Sequence, residues 1–271
     1  MKRTVSILVS LIAAFSLVKA WAAYQLKSEV KRLFAGSETT TGKYFSHAQL
    51  VGLPAPVQRY FKHVLKEGQP YINHVRLRHV GQFKTDLKKG WVDIKGEQYF
   101  TAPTPGFIWI GTTAFFTARD MFLNGQGSLK VKLFSLLQVA EGTGPTYDEG
   151  ELLRWLGESA WFPTNLLPTK NLSWSHIDEN TARLRFTYNQ LTVTYNVSFN
   201  ALGEITVMET KRYMGEKSLE TWVGRFSDYQ EIYGVVVPTK AEGIWRLPSG
   251  DHSYAKFQVK VMEYNKPELF R

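Results

Sequence analysis

From Ile72 onward, apolar and polar residues alternate with a period of two, as they do in strands with one buried and one wetted face. The clearest run is Leu191 to Asn200, in which Leu191, Val193, Tyr195, Val197 and Phe199 point one way and Thr192, Thr194, Asn196, Ser198 and Asn200 the other. Similar runs cover 72–85, 91–100, 107–112, 115–123 and 128–139, then 172–177, 183–188, 204–213, 220–231, 235–246 and 252–264, about a dozen strands in all. Short connections at Asp178-Glu179-Asn180, Leu202-Gly203 and Pro248-Ser249-Gly250 fit antiparallel neighbours, because parallel strands need long crossovers.

The pattern changes only at Tyr147 to Leu167, where a helix over 148–162 is predicted. Thr146-x-x-Glu149 and Asp148-x-x-Glu151 are capping-box candidates at its start, and Pro163 ends it. Leu152, Leu156 and Ser159 share one stripe with Leu153 and Ala160 beside it, while Glu151, Arg154 and Glu158 follow on a neighbouring stripe as an ion-pair ladder. A second, short amphipathic helix is expected at Leu53 to Leu65, entered through two prolines. The fold class expected is mainly β with α (α+β): a large, curved, half-barrel-like antiparallel sheet over residues 51–271, covered by one inserted helix.

Ahead of this domain, Lys2 and Arg3 precede an apolar run from Thr4 to Val18, followed by Lys19 and Ala20-Trp21-Ala22. Residues 1–23 therefore read as a signal peptide or membrane anchor, a hydrophobic helix that places the rest of the chain outside a bacterial inner membrane, anchored to it or free in the periplasm after cleavage. Residues 24–50 read as a juxtamembrane helix, with Leu26, Val30, Leu33 and Phe34 on one face, and a linker.

Composition narrows the function more by exclusion than by assignment. A hydrophobic fraction of 44% is ample for a core, and 14% aromatic residues favour sheet. The formal charge of +9 is spread along the chain without a dense basic run, and Lys2, Arg3 and Lys19 carry part of it, so no nucleic-acid partner is expected. With no Cys there are no disulfides, thiolate metal sites or cysteine nucleophiles. The six histidines have no ligand spacing, and no serine-elbow or dinucleotide motif occurs; neither metal nor cofactor is expected.

Leu53 to Tyr60 (LPAPVQRY), Gly106 to Trp109 (GFIW), Tyr147 to Pro163, Trp174, and the series Trp222, Phe226, Tyr229, Gly234, Pro238 and Trp245 together resemble an uncharacterised family of bacterial membrane-associated or exported proteins, a domain of unknown function. The resemblance spans roughly residues 50–265 and implies no activity. In its order of strands, helix and strands behind an export signal, the chain is also similar to the half-barrels of LolA, LolB and related periplasmic lipoprotein or lipid carriers, whose helices close an apolar concavity. The lack of Cys excludes a LolB-like lipid anchor.

These readings lead to an envelope-localised, non-enzymatic protein holding a hydrophobic or lipid-like ligand between sheet and helix. Trp109, Trp155, Trp161 and Phe162 are the candidate ligand contacts. Glu151, Arg154 and Glu158 are expected to form a structural polar network, with Arg154 keeping both carboxylates ionised, and Arg59 and Tyr60 to dock the first helix. The alternatives are a membrane-anchored protein-interaction module and, least favoured, a hydrolase using Glu151 or Glu158.

Overall fold

A computed structural model describes residues 2–40, 42–215 and 217–270, with side chains from residue 16. The described residues form a thirteen-stranded antiparallel sheet built from two meanders. The first is β1 (His74–Phe83), β2 (Val92–Thr101), β3 (Gly106–Thr112), β4 (Phe116–Leu123), β5 (Gln126–Leu133) and β6 (Leu137–Thr143). The second is β7 (Leu172–His176), β8 (Thr181–Tyr188), β9 (Leu191–Phe199), β10 (Ile205–Met214), β11 (Ser218–Ile232), β12 (Val235–Leu247) and β13 (Gly250–Tyr264). Pairing of β1 with β13 fuses the two halves at the middle, leaving β6 and β7 as opposite edges.

The expected strand at 128–139 is two strands. Phe134 and Ser135 take φ of 48° and 62°, and the chain reverses there into β6. A bulky apolar residue at a position that ordinarily favours Gly or Asn hides this turn from a composition-based reading.

Among the described residues three α-helices accompany the sheet: α1 (Lys2–Ala35), α2 (Ala55–Val64) and α3 (Pro145–Glu158). Helix α3 joins edge β6 to edge β7 and so crosses the concave face, continuing through 3-10 turns at Ser159–Trp161 and Pro163–Leu166. Every residue from Thr146 to Leu167 is buried or half-buried. The sheet wraps the helix on both sides: Gly127 of β5 meets the Tyr147 backbone, while the Tyr195 hydroxyl of β9 donates to the Leu153 carbonyl at 3.0 Å. The inserted helix therefore covers the sheet as an axle, buried or half-buried all round.

Neither capping box forms. Gly144 is the N-cap at φ 97°, Pro145 supplies the first turn, and the Asp148 carboxylate instead accepts from the Gly127 amide at 2.7 Å. Helix α2 starts at the expected prolines and buries Val57, Tyr60, Phe61 and Val64.

Helix α1 departs from the expected division at residue 23. Tyr24 to Phe34 continue the same helix, and their apolar stripe is not spread on a membrane surface: Val30, Leu33 and Phe34 are buried on the convex face of the sheet against Tyr99 and Ile108. The ion pair from Arg119 of β4 to Glu29, at 2.6 Å, pins this end. Residues 43–50 are no linker either, since Phe45 and Leu50 join the main core and Tyr44 bridges to Pro70. Most of the apolar run Thr4–Val18, with its expected signal or anchor, lies outside the residues whose side chains are described. Among the described residues, no helix is long and apolar enough to cross a membrane.

Trp155 is 1% exposed and donates to the Thr101 carbonyl at 2.8 Å, tying the axle to β2. Trp155→Ala is expected to cost about 3–5 kcal/mol by leaving a cavity, whereas truncating the exposed Leu202 to Ala should change stability by less than about 0.5 kcal/mol. Urea unfolding of the two variants checks this.

Candidate functional site

The strands bring ionisable residues into the concave face at positions their alternation assigns to the core. Asp120 lies between Ala118 and Phe122 on the inward side of β4, Gln98 between Gly96 and Phe100 on β2, His79 after Leu77 on β1, and Arg212 on β10. Helix α3 adds Glu151, Arg154 and Glu158. Arg154 pairs with Asp120 and, at 3.0 Å, with Glu158, whose second oxygen accepts from Gln98 at 2.6 Å. Glu151 does not share this partner; it faces the Arg212 guanidinium, at 3.5 Å.

Of the expected polar network, Arg154 and Glu158 thus meet directly, and Glu151 joins through a different arginine. Arg59 and Tyr60 stand elsewhere. Arg59 donates to the Glu179 carbonyl and the Asn180 side chain, tying α2 to the β7–β8 turn, and Tyr60 fills the core.

Protonation differs from the expectation as well. Burial pushes the carboxyl of Glu151 up to about 8, with Asp120 adding to the shift and Arg212 and Arg154 opposing it. Burial likewise raises Asp120 and Glu158 against the pull of Arg154. One arginine placed between carboxylates does not keep them all ionised once water is removed from around them. At neutral pH Glu151 is mainly protonated. Asp120 Oδ1 and Glu151 Oε2 have no hydrogen-bond partner among the described residues.

Beside this cluster runs an aromatic floor. Trp109 donates to His79 Nε2 at 2.8 Å with the two rings nearly coplanar, edge to edge, and burial lowers His79 to about 3, so it stays neutral and can accept. Phe257 follows, its ring centroid 4.2 Å from His79, then Phe83 edge-on to Tyr254 at 5.9 Å. Tyr254 stacks on Trp245 and accepts from Trp222 Nε1 at 2.9 Å. The rings lie flat because glycines sit beneath them. A Cβ on Gly96 would come within 1.8 Å of His79, one on Gly111 within 2.3 Å of Trp109, and one on Gly243 within 3.1 Å of Tyr254.

Charge borders the floor at both ends, with the Arg154 guanidinium 4.8 Å from the Trp109 ring centre and that of Arg212 5.7 Å from Trp222. Helix α3 and its following turns cover Val75, Phe100, Phe107 and Phe122, near the starts of β1 and β3. Towards the other end of those strands Phe83, Phe116, Val131, Leu133, Ala241 and Phe257 are only half-buried. The concave face is thus filled at one end and is an open apolar trough at the other.

The four aromatic candidates divide accordingly. Trp109, 4% exposed, stands where the axle meets the trough. Trp155, Trp161 and Phe162 are packed under the sheet, with the Trp161 indole donating to the Pro238 carbonyl at 3.1 Å. A crevice of about 510 Å³ at the filled end, between α1 and the start of α3, is walled by Glu29, Arg32, Leu33, Asn124 and Asp148 among others and touches none of the four. Among the described residues, no cluster of His, Asp and Glu has metal-holding geometry.

Asp120, Gln98, His79 and Arg212 escape a reading based on motifs. Their one signal is a polar residue at an inward position of an alternating strand, which becomes informative only once the register is known.

Fold and site together define a curled antiparallel sheet around a transverse helix, with a charge cluster and an aromatic trough on its concave side. The chain belongs to a family of unknown function (DUF6544), whose model matches residues 43–257, the sheet and its axle without α1. No curated protein matches the chain. Its structure is similar to that of a LolA superfamily protein from Nitrosomonas europaea, with TM-score 0.45 and 11% identity over 78% of this chain and 93% of that one. It is also similar to a domain from Vibrio parahaemolyticus named for outer membrane lipoprotein sorting (TM-score 0.41, 9% identity, 71% and 86% covered). A DUF1329 family protein from Desulfovibrio piger is similar too (TM-score 0.40, 9% identity, 72% and 86% covered).

Two outcomes test the cluster. Arg154→Met, which strands two buried carboxylates, should cost about 3–5 kcal/mol at neutral pH and less in acid, where the carboxylates protonate. For Glu151 the folded value is raised above the unfolded one, so its stabilising share is complete below about pH 4.5 and is lost as pH rises through about 8. Glu151→Gln should remove that loss, making the variant gain on the parent between pH 5 and pH 8.5; urea midpoints across this range measure it.

Proposed function

We propose that the protein is a non-enzymatic component of the bacterial cell envelope that holds an amphipathic, lipid-like ligand. The apolar part of the ligand lies along the open trough, and its polar head meets Arg212 and the neutral carboxyl of Glu151. The observation carrying this reading is the trough itself: a run of aromatic rings left half-exposed beside groups that can hydrogen-bond a polar head. In this scheme Trp109 is the ligand-facing member of the four aromatic candidates, while Trp155, Trp161 and Phe162 act by holding the axle in place. Placement in the envelope is supported by the basic start and apolar run of residues 2–18, which would direct the chain to the inner membrane. A second reading, a protein-interaction module, is favoured by one feature, the unpaired edge strand β6 with Leu137 and Val139 exposed.

Native mass spectrometry of the full chain, purified from cells and then extracted with organic solvent, tests the first reading. A co-purifying lipid is expected. A protein that arrives empty and takes up neither fluorescent fatty acid nor fluorescent phospholipid would overturn it. Ala241→Trp, which fills the trough from β12, should weaken uptake at least about tenfold, roughly 1.4 kcal/mol, while leaving the urea midpoint close to that of the parent.

A further inference from the structure

The trough opens at the end of the sheet where the β1–β2, β3–β4 and β5–β6 turns lie, and two of these neighbouring turns together present a cluster of exposed apolar side chains. Phe115 on the β3–β4 turn is 62% exposed, and Phe134, Leu136 and Leu137 at the β5–β6 turn are 61%, 50% and 64% exposed. The two turns are locked together, the Phe134 amide donating to the Phe115 carbonyl at 2.8 Å and the Thr117 and Ser135 hydroxyls 3.1 Å apart. Phe134 holds this position with a positive φ, where Asn or Gly would be at ease, so neither burial nor turn geometry accounts for a phenylalanine there. The neighbouring β1–β2 turn carries Lys84, Lys88 and Lys89 against one acid, Asp86.

Helix α1 points the same way. Leu33 sits beside Gly106 at the start of β3, whereas Glu29 binds Arg119, which stands opposite Ile110 further along that strand. Towards its N-terminus the helix therefore runs to the end bearing the apolar turns. There it exposes Trp21 and Tyr24, residues suited to a bilayer interface, and beyond them the sequence is the apolar run Thr4–Val18.

We propose that this end of the sheet is a bilayer-docking surface: Phe115, Phe134, Leu136 and Leu137 enter the interface of an anionic membrane, Lys84, Lys88 and Lys89 meet its headgroups, and the trough opens onto the lipid. The occupant is a lipid surface because three independent features converge on one end, namely apolar tips, a basic flank and the heading of the apolar N-terminal helix. The proposal rests on the envelope placement given above and not on what the trough holds.

The absence of Cys makes the test direct. Phe134→Cys and Leu136→Cys, and Leu202→Cys on the β9–β10 turn at the opposite end, are each labelled with an environment-sensitive fluorophore in the full chain. The labelled proteins are mixed with vesicles of phosphatidylglycerol and phosphatidylethanolamine and floated. Labels at 134 and 136 should shift to the blue and be quenched by bromine-bearing acyl chains, while the label at 202 stays aqueous. Phe115→Ser combined with Phe134→Asn should lose the quenching of the label at 136 with an unchanged urea midpoint.

Protein that floats with all three labels aqueous would refute the docking surface while leaving the helix as the membrane contact. Failure to float would refute it outright. Blue-shifted tips without vesicles would show instead that a second copy or a protein covers them. A protein that docks but yields no extracted lipid would overturn the ligand reading alone.

Discussion

The structure depends on one constraint of connectivity. β6 and β7 are consecutive in the chain yet lie at opposite edges of a thirteen-stranded sheet, so residues 144–171 must cross its concave face. Laid flat, such a sheet would be about 58 Å wide at the usual strand spacing. The fourteen residues of α3 span only about 21 Å. The sheet curls so that its halves meet the helix on both sides, and β4, β5, β9 and β10 all touch it. Curling and crossing are one event, which is why the helix is engulfed rather than laid on a surface.

Engulfing the helix removes water from any polar group facing the crossing, and this produces the charge cluster. A helix buried all round would ordinarily be apolar all round. Here Glu151, Arg154 and Glu158 are carried inside and are met by Asp120, Gln98 and Arg212 from the walls. Replacing such a set with apolar residues is often neutral or stabilising, so stability is a poor reason for its presence. Two carboxylate oxygens without a partner among the described residues, one of them on a carboxyl that is neutral at pH 7, mark groups able to bond something further.

The sequence made much of the fold readable and little of the site. Alternation is a local property, so the strands at 191–200 and 235–246 could be placed from it, whereas Pro163, expected to end the helix, opens a 3-10 turn after α3 has already ended at Glu158. What local pattern does not carry is which residues meet across the curl. Phe134 concealed a turn because its side chain contradicts its backbone; Thr146 and Asp148 looked like caps because the competing Gly127 amide is distant in sequence. Leu26, Val30 and Leu33 showed a genuine apolar face, but nothing local said whether lipid or sheet would cover it. The glycines under the rings gave the faintest sign of the trough, since Gly81, Gly96 and Gly111 recur in strands where a side chain would otherwise strengthen packing.

The disposition of apolar surface argues that the trough is meant to stay open. Helix α1 carries an apolar stripe long enough to cover a groove, yet it lies on the convex face, where the C-terminal segment joins it: Phe270 packs over Arg76 and Arg78 and its amide donates to Tyr99 at 3.2 Å. The convex face has two covers, whereas the end of the concave face lined by Phe83, Phe116, Tyr254 and Phe257 lies beyond the part that α3 fills. A sheet that needed only stability would bury those rings, because half-exposed aromatic area forgoes roughly 25 cal/mol for each Å² left in water. Leaving them uncovered makes physical sense where another apolar body takes the place of the missing cover.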